Sequence, residues 1–212
     1  MSTKFFTNTE EKTIFQKFKG ILENMKDVYA FHAVVGYFRS SGYFALQPYL
    51  KEIKDIKILV GINVDQMFAD AQKKGLLYFG DEQKTKEEFL NWFIQDLKEA
   101  KYSYEVEEGI LDFIQDVIDG RIEVRAHNSK AIHAKFYLFL PQNHSEHTDG
   151  WVIMGSSNLT EAGLGIKKSP NYELNIALKD YDDVEFTKAE FQKLWEQSTT
   201  ILPADIQDFK KK

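Results

Sequence analysis

Residues 132–140 read Ile-His-Ala-Lys-Phe-Tyr-Leu-Phe-Leu, an apolar and aromatic run that only His133 and Lys135 interrupt. This composition favours a β-strand. Side chains two positions apart in a strand point to the same face, so the pattern predicts that the imidazole and the ammonium group lie side by side. A half-buried structural histidine beside a solvated lysine is the alternative, and the His-x-Lys pattern alone favours it.

A second strand-like run, residues 151–154, ends in Gly155-Ser156-Ser157-Asn158. Glycine allows a close backbone approach, and the hydroxyls and the amide supply uncharged donors to an anion. The same residue types also favour an ordinary turn. A third run, residues 171–176, contains Glu173, whose burial would require a partner such as an imidazole. Because polar groups occur at three predicted strand ends, the sequence predicts a functional site there.

The rest of the chain predicts alternating helices and strands. Helices are predicted at residues 14–25, 43–53, 89–97, 110–118 and 188–195, and strands at residues 28–38, 56–62, 122–125, 132–140, 151–154 and 172–178. This alternation predicts an α/β fold, a layered mixed β-sheet flanked by helices. No fixed-period repeat and no Pro/Gly-rich linker divides the sequence, which favours a single domain over residues 1–212.

Composition limits the class of protein. With 43% hydrophobic and 28% charged residues, the sequence is typical of a soluble globular protein. No apolar run is long enough for a membrane span or a secretory signal, and the absence of cysteine excludes disulfides and Cys-ligated zinc, so we expect a cytoplasmic protein. A net charge of −6 disfavours a global grip on nucleic acid, so any such site must be a local basic surface.

The motif residues resemble the signature of the phospholipase D superfamily, which is His-x-Lys, four residues, Asp, and then Gly-Ser-x-Asn. His133 and Lys135 match the first part, and residues 155–158 match the last part by identity and order. Leu140 stands where the pattern has Asp. Glu173 resembles the downstream glutamate that pairs with the histidine in nuclease-like members with a single motif.

Within the superfamily, the sequence looks most like the bacterial phospholipase-D-like nuclease domains of restriction enzymes and of superfamily 2 helicase N-termini. Residues 35–43 and 58–63 resemble that subgroup as well. The resemblance implies a metal-independent phosphodiesterase that cleaves DNA and needs no cofactor. It also implies that the chain can be the N-terminal part of a longer helicase or restriction protein, with a helicase domain or subunit as partner.

The resemblance also assigns roles. His133 is the expected nucleophile and Glu173 orients its imidazole, whereas Lys135, Asn158 and the hydroxyl of Ser156 or Ser157 hold the phosphate oxygens beside Gly155. Because one motif supplies one histidine and the leaving group needs an acid, the resemblance implies a homodimer with the site on its two-fold axis.

Other polar residues are weaker candidates for the site. Lys167, Lys168 and Arg39 are candidate phosphate contacts, and an exposed charge is an equally good interpretation of Arg39. His144 and His147 have a spacing that a metal could use, but no further ligands accompany them, so we expect no metal site. His127 is more typical of a surface histidine than of a substrate contact.

Two further functions stay open. The first is a catalytically weak or inactive DNA-binding module that docks a helicase or restriction partner, which Leu140 and the acidic net charge favour. The second is a lipid-directed phospholipase, which the absence of any membrane-binding stretch disfavours.

Overall fold

The computed structural model describes residues 3–9, 12–36, 38–61, 104–127 and 132–201. Within these residues, eight strands form one sheet in the order β1-β7-β6-β5-β2-β3-β4-β8. The strands are β1 (Phe5–Thr7), β2 (Val28–Val35), β3 (Asp55–Val60), β4 (Ile122–His127), β5 (Phe136–Pro141), β6 (Trp151–Gly155), β7 (Leu174–Leu178) and β8 (Ser198–Thr200). β2, β3 and β4 are parallel and every other pairing is antiparallel, so the sheet is mixed.

Five helices flank the sheet in the described residues. They are α1 (Ile14–Asn24), α2 (Ser40–Leu50), α3 (Tyr104–Ile118), α4 (Glu161–Leu164) and α5 (Tyr181–Glu196). Two begin with a threonine cap: the Thr13 side chain accepts from the backbone N–H of Gln16, and that of Thr160 accepts from Gly163. Helices on a mixed sheet confirm the predicted α/β class.

The apolar residues of β2, β5 and β6 alternate between two cores. Phe31, Tyr137 and Phe139 lie in the core on one face, where Phe18 of α1 packs edge-on against all three rings. Val34, Leu138 and their neighbours lie in the core on the opposite face, which α5 covers with Phe191 and Trp195. Because both faces are covered near the middle of the sheet, β2 and β5 are nearly all apolar.

Several strands meet at one end of the sheet, which we call the site end. β2, β3, β4 and β6 finish there, and β5 and β7 begin there, since Phe136 pairs with Val34 and Gly155 pairs with Asn175. The loop of residues 142–150 joins β5 to β6 at the opposite end.

One prediction about this region is wrong. Residues 132–135 are not part of a strand, because β5 begins only at Phe136. The preceding segment runs across the ends of the parallel strands: a Cβ on Gly61 would lie 2.5 Å from the backbone oxygen of Ile132. A chain that crosses strand ends cannot extend the ladder, so His133 and Lys135 do not share a strand face. β7 likewise begins at Leu174, which leaves Glu173 ahead of the strand.

The other predicted elements are found with shifted ends. The predicted helices at residues 14–25, 43–53, 110–118 and 188–195 are confirmed as α1, α2, α3 and α5. The predicted strand at residues 28–38 ends at Val35, and Phe38 only bridges to Leu159. The predicted helix at residues 89–97 lies outside the described residues. None of the helices within the described ranges is long and apolar enough to cross a membrane.

Candidate functional site

His133 and Lys135 lie at the site end on the irregular segment that leads into β5. His133 is exposed and Lys135 is half-buried. The Nζ of Lys135 donates to the backbone oxygen of His133 at 2.8 Å, so the ammonium group is turned back over its own segment. A Cβ on Gly36 would lie 3.4 Å from that Nζ, which places the lysine over the end of β2.

The loop of residues 155–158 joins this segment through the backbone. The N–H of Gly155 donates to the carbonyl of Lys135 at 3.1 Å, and the N–H of Ser156 donates to the carbonyl of Leu174 at 3.2 Å. A Cβ on Gly155 would lie 2.3 Å from that carbonyl, so no other residue type fits here without a shift. The two motifs recognised in the sequence are therefore adjacent in space.

The two serines of the loop have opposite environments. Ser156 is exposed, and its Oγ accepts a hydrogen bond from the N–H of Leu174 at 3.1 Å, which leaves the hydroxyl proton available to a ligand. Ser157 is fully buried, and its Oγ accepts from Nδ2 of Asn175 at 3.0 Å. The Ser157 hydroxyl therefore faces the protein interior, whereas Ser156 and the half-buried Asn158 lie where a phosphate could reach them.

Two buried residues that the sequence did not single out hold this loop from below. Asn175 Oδ1 accepts from the N–H of Ser157 at 3.4 Å, and the Tyr137 hydroxyl donates to the carbonyl of Ser157 at 2.8 Å. Burial, and in second place the charge of Glu173, raises the pKa of Tyr137, so its hydroxyl remains a neutral donor. A polar residue in an apolar strand was the available signal for Asn175, whereas Tyr137 resembles any aromatic core residue.

Glu173 lies beside the same loop. It is half-buried, and it is close enough to Tyr137 for its charge to affect that hydroxyl. A buried asparagine near the N-terminus of the chain fixes its backbone: Asn8 Oδ1 accepts from the N–H of Glu173 at 3.0 Å, and Asn8 Nδ2 donates to the carbonyl of Asn171, also at 3.0 Å. Asn8 thus fixes the backbone of the segment that carries Glu173, the predicted partner of His133. Nothing in the sequence around Asn8 indicates that role.

The predicted phosphate contacts lie on segments that are next to this loop in space or in sequence. The backbone N–H of Arg39, the residue before α2, donates to the carbonyl of Leu159 at 3.1 Å, which places the start of α2 next to Asn158. Lys167 and Lys168 are exposed on the loop that follows α4. Their side chains are therefore open to solvent near the site in sequence.

Leu140 occupies the position of the family Asp. It lies in β5, is buried, and pairs with Ala30 of β2. A carboxylate at this point would be an unpaired charge within the apolar core that α5 covers. Leu140 therefore serves the core of this chain.

The remaining histidines lie away from the exposed surface of the site. His127 is buried at the end of β4, and His32 is half-buried, with Nε2 2.9 Å from Asp55 Oδ2. His144 and His147 lie on the 142–150 loop at the opposite end, where Nδ1 of His144 is 2.6 Å from Oε1 of Glu185. Among the residues that the structure describes, no three His, Asp or Glu side chains form a cluster that could hold a metal ion.

The family assignment follows from a comparison with known proteins. A family model described as "Cardiolipin synthase, PLD-like domain" matches residues 55–195, which is more than half of the chain. This chain therefore belongs to the phospholipase-D-like family. The resemblance stated from the sequence is confirmed at this level. No protein matches the chain among the curated proteins.

Solved structures share the fold. Nuc from Salmonella typhimurium, a phospholipase D family member, matches 94% of this chain and 97% of its own at 15% identity, with a TM-score of 0.51. Phosphatidylserine synthase from Haemophilus influenzae matches 95% of this chain and 40% of its own at 11% identity, with a TM-score of 0.52. NucT from Helicobacter pylori matches 92% and 96% at 10% identity, with a TM-score of 0.47.

Proposed function

We propose that this protein is a metal-independent phosphodiesterase that cleaves DNA, with His133 as the nucleophile and a site shared across a homodimer. The observation that carries the proposal is the meeting of the exposed His133, Lys135 and the 155–158 loop at one end of the sheet, joined by the hydrogen bond between Gly155 and Lys135. These are the residue types that phosphoryl transfer through a histidine requires.

In the proposed reaction, an imidazole nitrogen of His133 attacks phosphorus and the bond to the leaving oxygen breaks. Lys135, Asn158 and the Ser156 hydroxyl hold the non-bridging oxygens and stabilise the negative charge that develops there. Glu173 orients the imidazole and stabilises its positive charge. The leaving oxygen takes a proton from a second histidine. That histidine then removes a proton from water, which attacks the phosphohistidine and restores His133.

The second histidine must come from another copy of the chain. Of the five histidines, His133 alone is exposed at the site end, while His32 and His144 are held in acidic pairs and His147 lies on the far loop. His127 is buried. A two-fold axis through the site would bring a second His133 to the same phosphate, which supports a homodimer.

DNA is the proposed substrate for two reasons. The sequence resembles phospholipase-D-like nuclease domains, and Lys167 and Lys168 are exposed on the loop beyond Asn158, where they could contact a phosphate backbone. A helicase domain or subunit that delivers the DNA is part of the same proposal. One observation favours the alternative of a weakly active DNA-binding module: the position of the family Asp belongs to the core residue Leu140.

The first test compares wild type, His133→Ala and His147→Ala, each with EDTA, on single- and double-stranded DNA. His147 is the matched control because it is an exposed histidine at the opposite end of the sheet. We expect wild type and His147→Ala to cleave and His133→Ala to be inactive. Strict dependence on Mg²⁺, or full activity of His133→Ala, would exclude the mechanism. Inactivity of all three with tight DNA binding would support the binding module.

A second test addresses the shared site. Wild type should sediment as a dimer, and a solution with only the 24.7 kDa species at micromolar concentration would contradict the proposal. When wild-type and His133→Ala subunits are unfolded and refolded together in equal amounts, a site that needs both histidines keeps about a quarter of the activity, because only wild-type pairs are active. Independent sites would keep about half.

A further inference from the structure

A row of apolar side chains crosses the sheet beside Lys135. Phe136, Met154, Ile176 and Phe5 are successive register partners on β5, β6, β7 and β1, so they lie on the same face. Their exposure differs from one end of the row to the other: Phe136 is 7% exposed and Phe5 is 54% exposed. The row therefore starts in the core next to the site and ends at an open edge of the sheet.

This row forms the floor of a groove. The groove has a volume of 430 Å³, and Lys135, Gly155 and Leu174 line it together with the row. Leu174 is two residues before Ile176 in β7, so it lies on the same face, and it is 50% exposed. Three strand spacings of about 4.8 Å separate Phe136 from Phe5, so the row is roughly 14 Å long. The groove thus leads from Lys135 at its inner end to the exposed apolar side chains of Leu174 and Phe5 at its outer end.

We infer that this groove binds an unpaired base of the strand whose phosphate lies at Lys135, so that the substrate is single-stranded DNA. The inference rests on the proposed function and adds the strandedness of the substrate. An extended single strand presents an anion and, one or two nucleotides further along, an aromatic base, which matches Lys135 and the exposed side chains of Leu174 and Phe5 about 10 to 14 Å away. In a duplex, both faces of each base are already stacked on neighbours, whereas an unpaired base gains a stacking partner here.

The exposure of the platform favours a base over an acyl chain. An acyl chain gains most when apolar atoms surround it on all sides. Phe5 and Leu174 form an open shelf instead, each about half exposed, and a planar base needs cover on one face only. The polar edge of such a base would remain in water.

The test measures DNA affinity in a His133→Ala background, so that nothing is cleaved. The ligands are a single strand, the same strand with abasic sites, and the duplex. The variants are Phe5→Ala and Leu174→Ser, and the matched control is Phe186→Ala, since Phe186 of α5 is 68% exposed and lies outside the groove. Circular dichroism checks that each variant is folded.

We expect the intact single strand to bind more tightly than the abasic strand or the duplex. Phe5→Ala should weaken its binding by about 5- to 150-fold, the effect of losing one stacked base, and should leave the abasic strand unchanged. Leu174→Ser should act in the same direction, and Phe186→Ala should have no effect. That pattern would support the inference.

Other outcomes overturn it. Equal losses for intact and abasic strands would mean that the groove contacts phosphate only. Loss of the dimer in Phe5→Ala would identify a self-association surface, and competition by phosphatidylglycerol vesicles that depends on Phe5 would identify a lipid site. If DNA binds but Phe5→Ala changes nothing, this inference alone fails. If no form of DNA binds the starting protein, the proposed function fails.

Discussion

The two ends of the sheet hold their histidines in opposite ways. At the site end, His133 is exposed, and its backbone oxygen accepts from Lys135. At the other end, the imidazole of His144 is buried, stacks on Tyr181 with ring centroids 5.4 Å apart, and pairs with Glu185. One histidine therefore fastens a loop to α5, whereas the other is left on the surface.

The exposed position of His133 does not come from a loosely held backbone. At the site end, the N–H groups of Arg39, Gly155 and Ser156 each donate to a carbonyl of another segment at 3.1 to 3.2 Å. The loop is fixed by these main-chain contacts and by the buried residues Asn175 and Tyr137 beneath it. This is the arrangement that a preorganised site requires.

The largest expected effect comes from a comparison of one lysine at each end of the sheet, Lys135 at the site end and Lys188 at the opposite end. Lys135→Ala should lower kcat about 10²- to 10³-fold, because in the proposed mechanism this ammonium group stabilises the transition state. Lys188→Ala is the control, since Lys188 pairs with Glu185 at the opposite end. Steady-state cleavage rates and thermal unfolding of both variants provide the measurement. Similar cleavage rates for the two variants would show that Lys135 contributes no more to catalysis than Lys188 does.

A second prediction concerns the support of the loop. Asn175→Ala leaves the buried Ser157 hydroxyl without its donor, so the free energy of unfolding should fall by about 1–3 kcal/mol and activity should fall with it. Asn24→Ala is the control, because exposed Asn24 only bonds a carbonyl within α1 and its loss should change stability by less than about 0.5 kcal/mol. Urea titrations measure both. Equal stability of the two variants would refute the role of Asn175.

The motif residues of the candidate site could be predicted from the sequence, whereas the residues that hold the loop in place could not. His133, Lys135 and residues 155–158 could be predicted as site residues because each motif is contiguous and its residue types belong to one chemistry, and their role stays a prediction. Asn8 and Asn175 were not assigned because their partners are up to 165 positions away. Their function exists only after the chain has folded.

The errors in the strand boundaries have the same origin. The apolar composition continues back to Ile132, but the chain there crosses the ends of β2 and β3 at Gly36 and Gly61. Only the packing of distant segments ends the strand. The three-residue strands β1 and β8 are too short for any periodicity to indicate them.

A third prediction uses pH, and it concerns His32 beneath α5, where the ring stacks on Phe191. Burial lowers the pKa of His32, and the hydrogen bond to Asp55 opposes this only in part. Burial alone would raise the pKa of Asp55, but His32 and Lys57 lower it. As the pH falls, His32 therefore binds its proton at a higher pH in the unfolded chain than in the folded one. The contribution of the neutral histidine to the free energy of unfolding is thus fully present above the ordinary histidine pKa of about 6.5 and declines as the pH falls below it.

His32→Gln should therefore flatten the fall in the urea midpoint between about pH 7 and pH 5, although the variant is less stable at pH 7. His147→Gln, which changes an exposed histidine on the far loop, should keep the wild-type slope. A wild-type midpoint that does not change over this range would contradict the assignment. The carboxylate of Asp55 adds a further loss only at lower pH, as it takes up its proton.

The smallest expected effect concerns two exposed lysines on the loop that follows α4. Replacing Lys167 and Lys168 with Ala should weaken DNA binding without regard to sequence and reduce the slope of log K against log salt by up to about one unit per lost phosphate contact. Lys19→Ala on α1 is a control, because the half-buried Lys19 pairs with Glu23 on the same helix. Binding titrations at several salt concentrations measure the slope, and an unchanged slope would place the DNA path elsewhere.

The short edge strands limit how two copies of the chain can meet. Over the described residues, the sheet ends in β1 on one side and β8 on the other, and each is three residues long. Joining two sheets into one continuous sheet needs a long row of unpaired N–H and carbonyl groups, and edges this short do not offer it. The proposed homodimer would then form through the faces or ends of the sheets. Contact between two site ends satisfies this condition because it uses neither edge strand, and edges this short offer little on which further copies could add as strands.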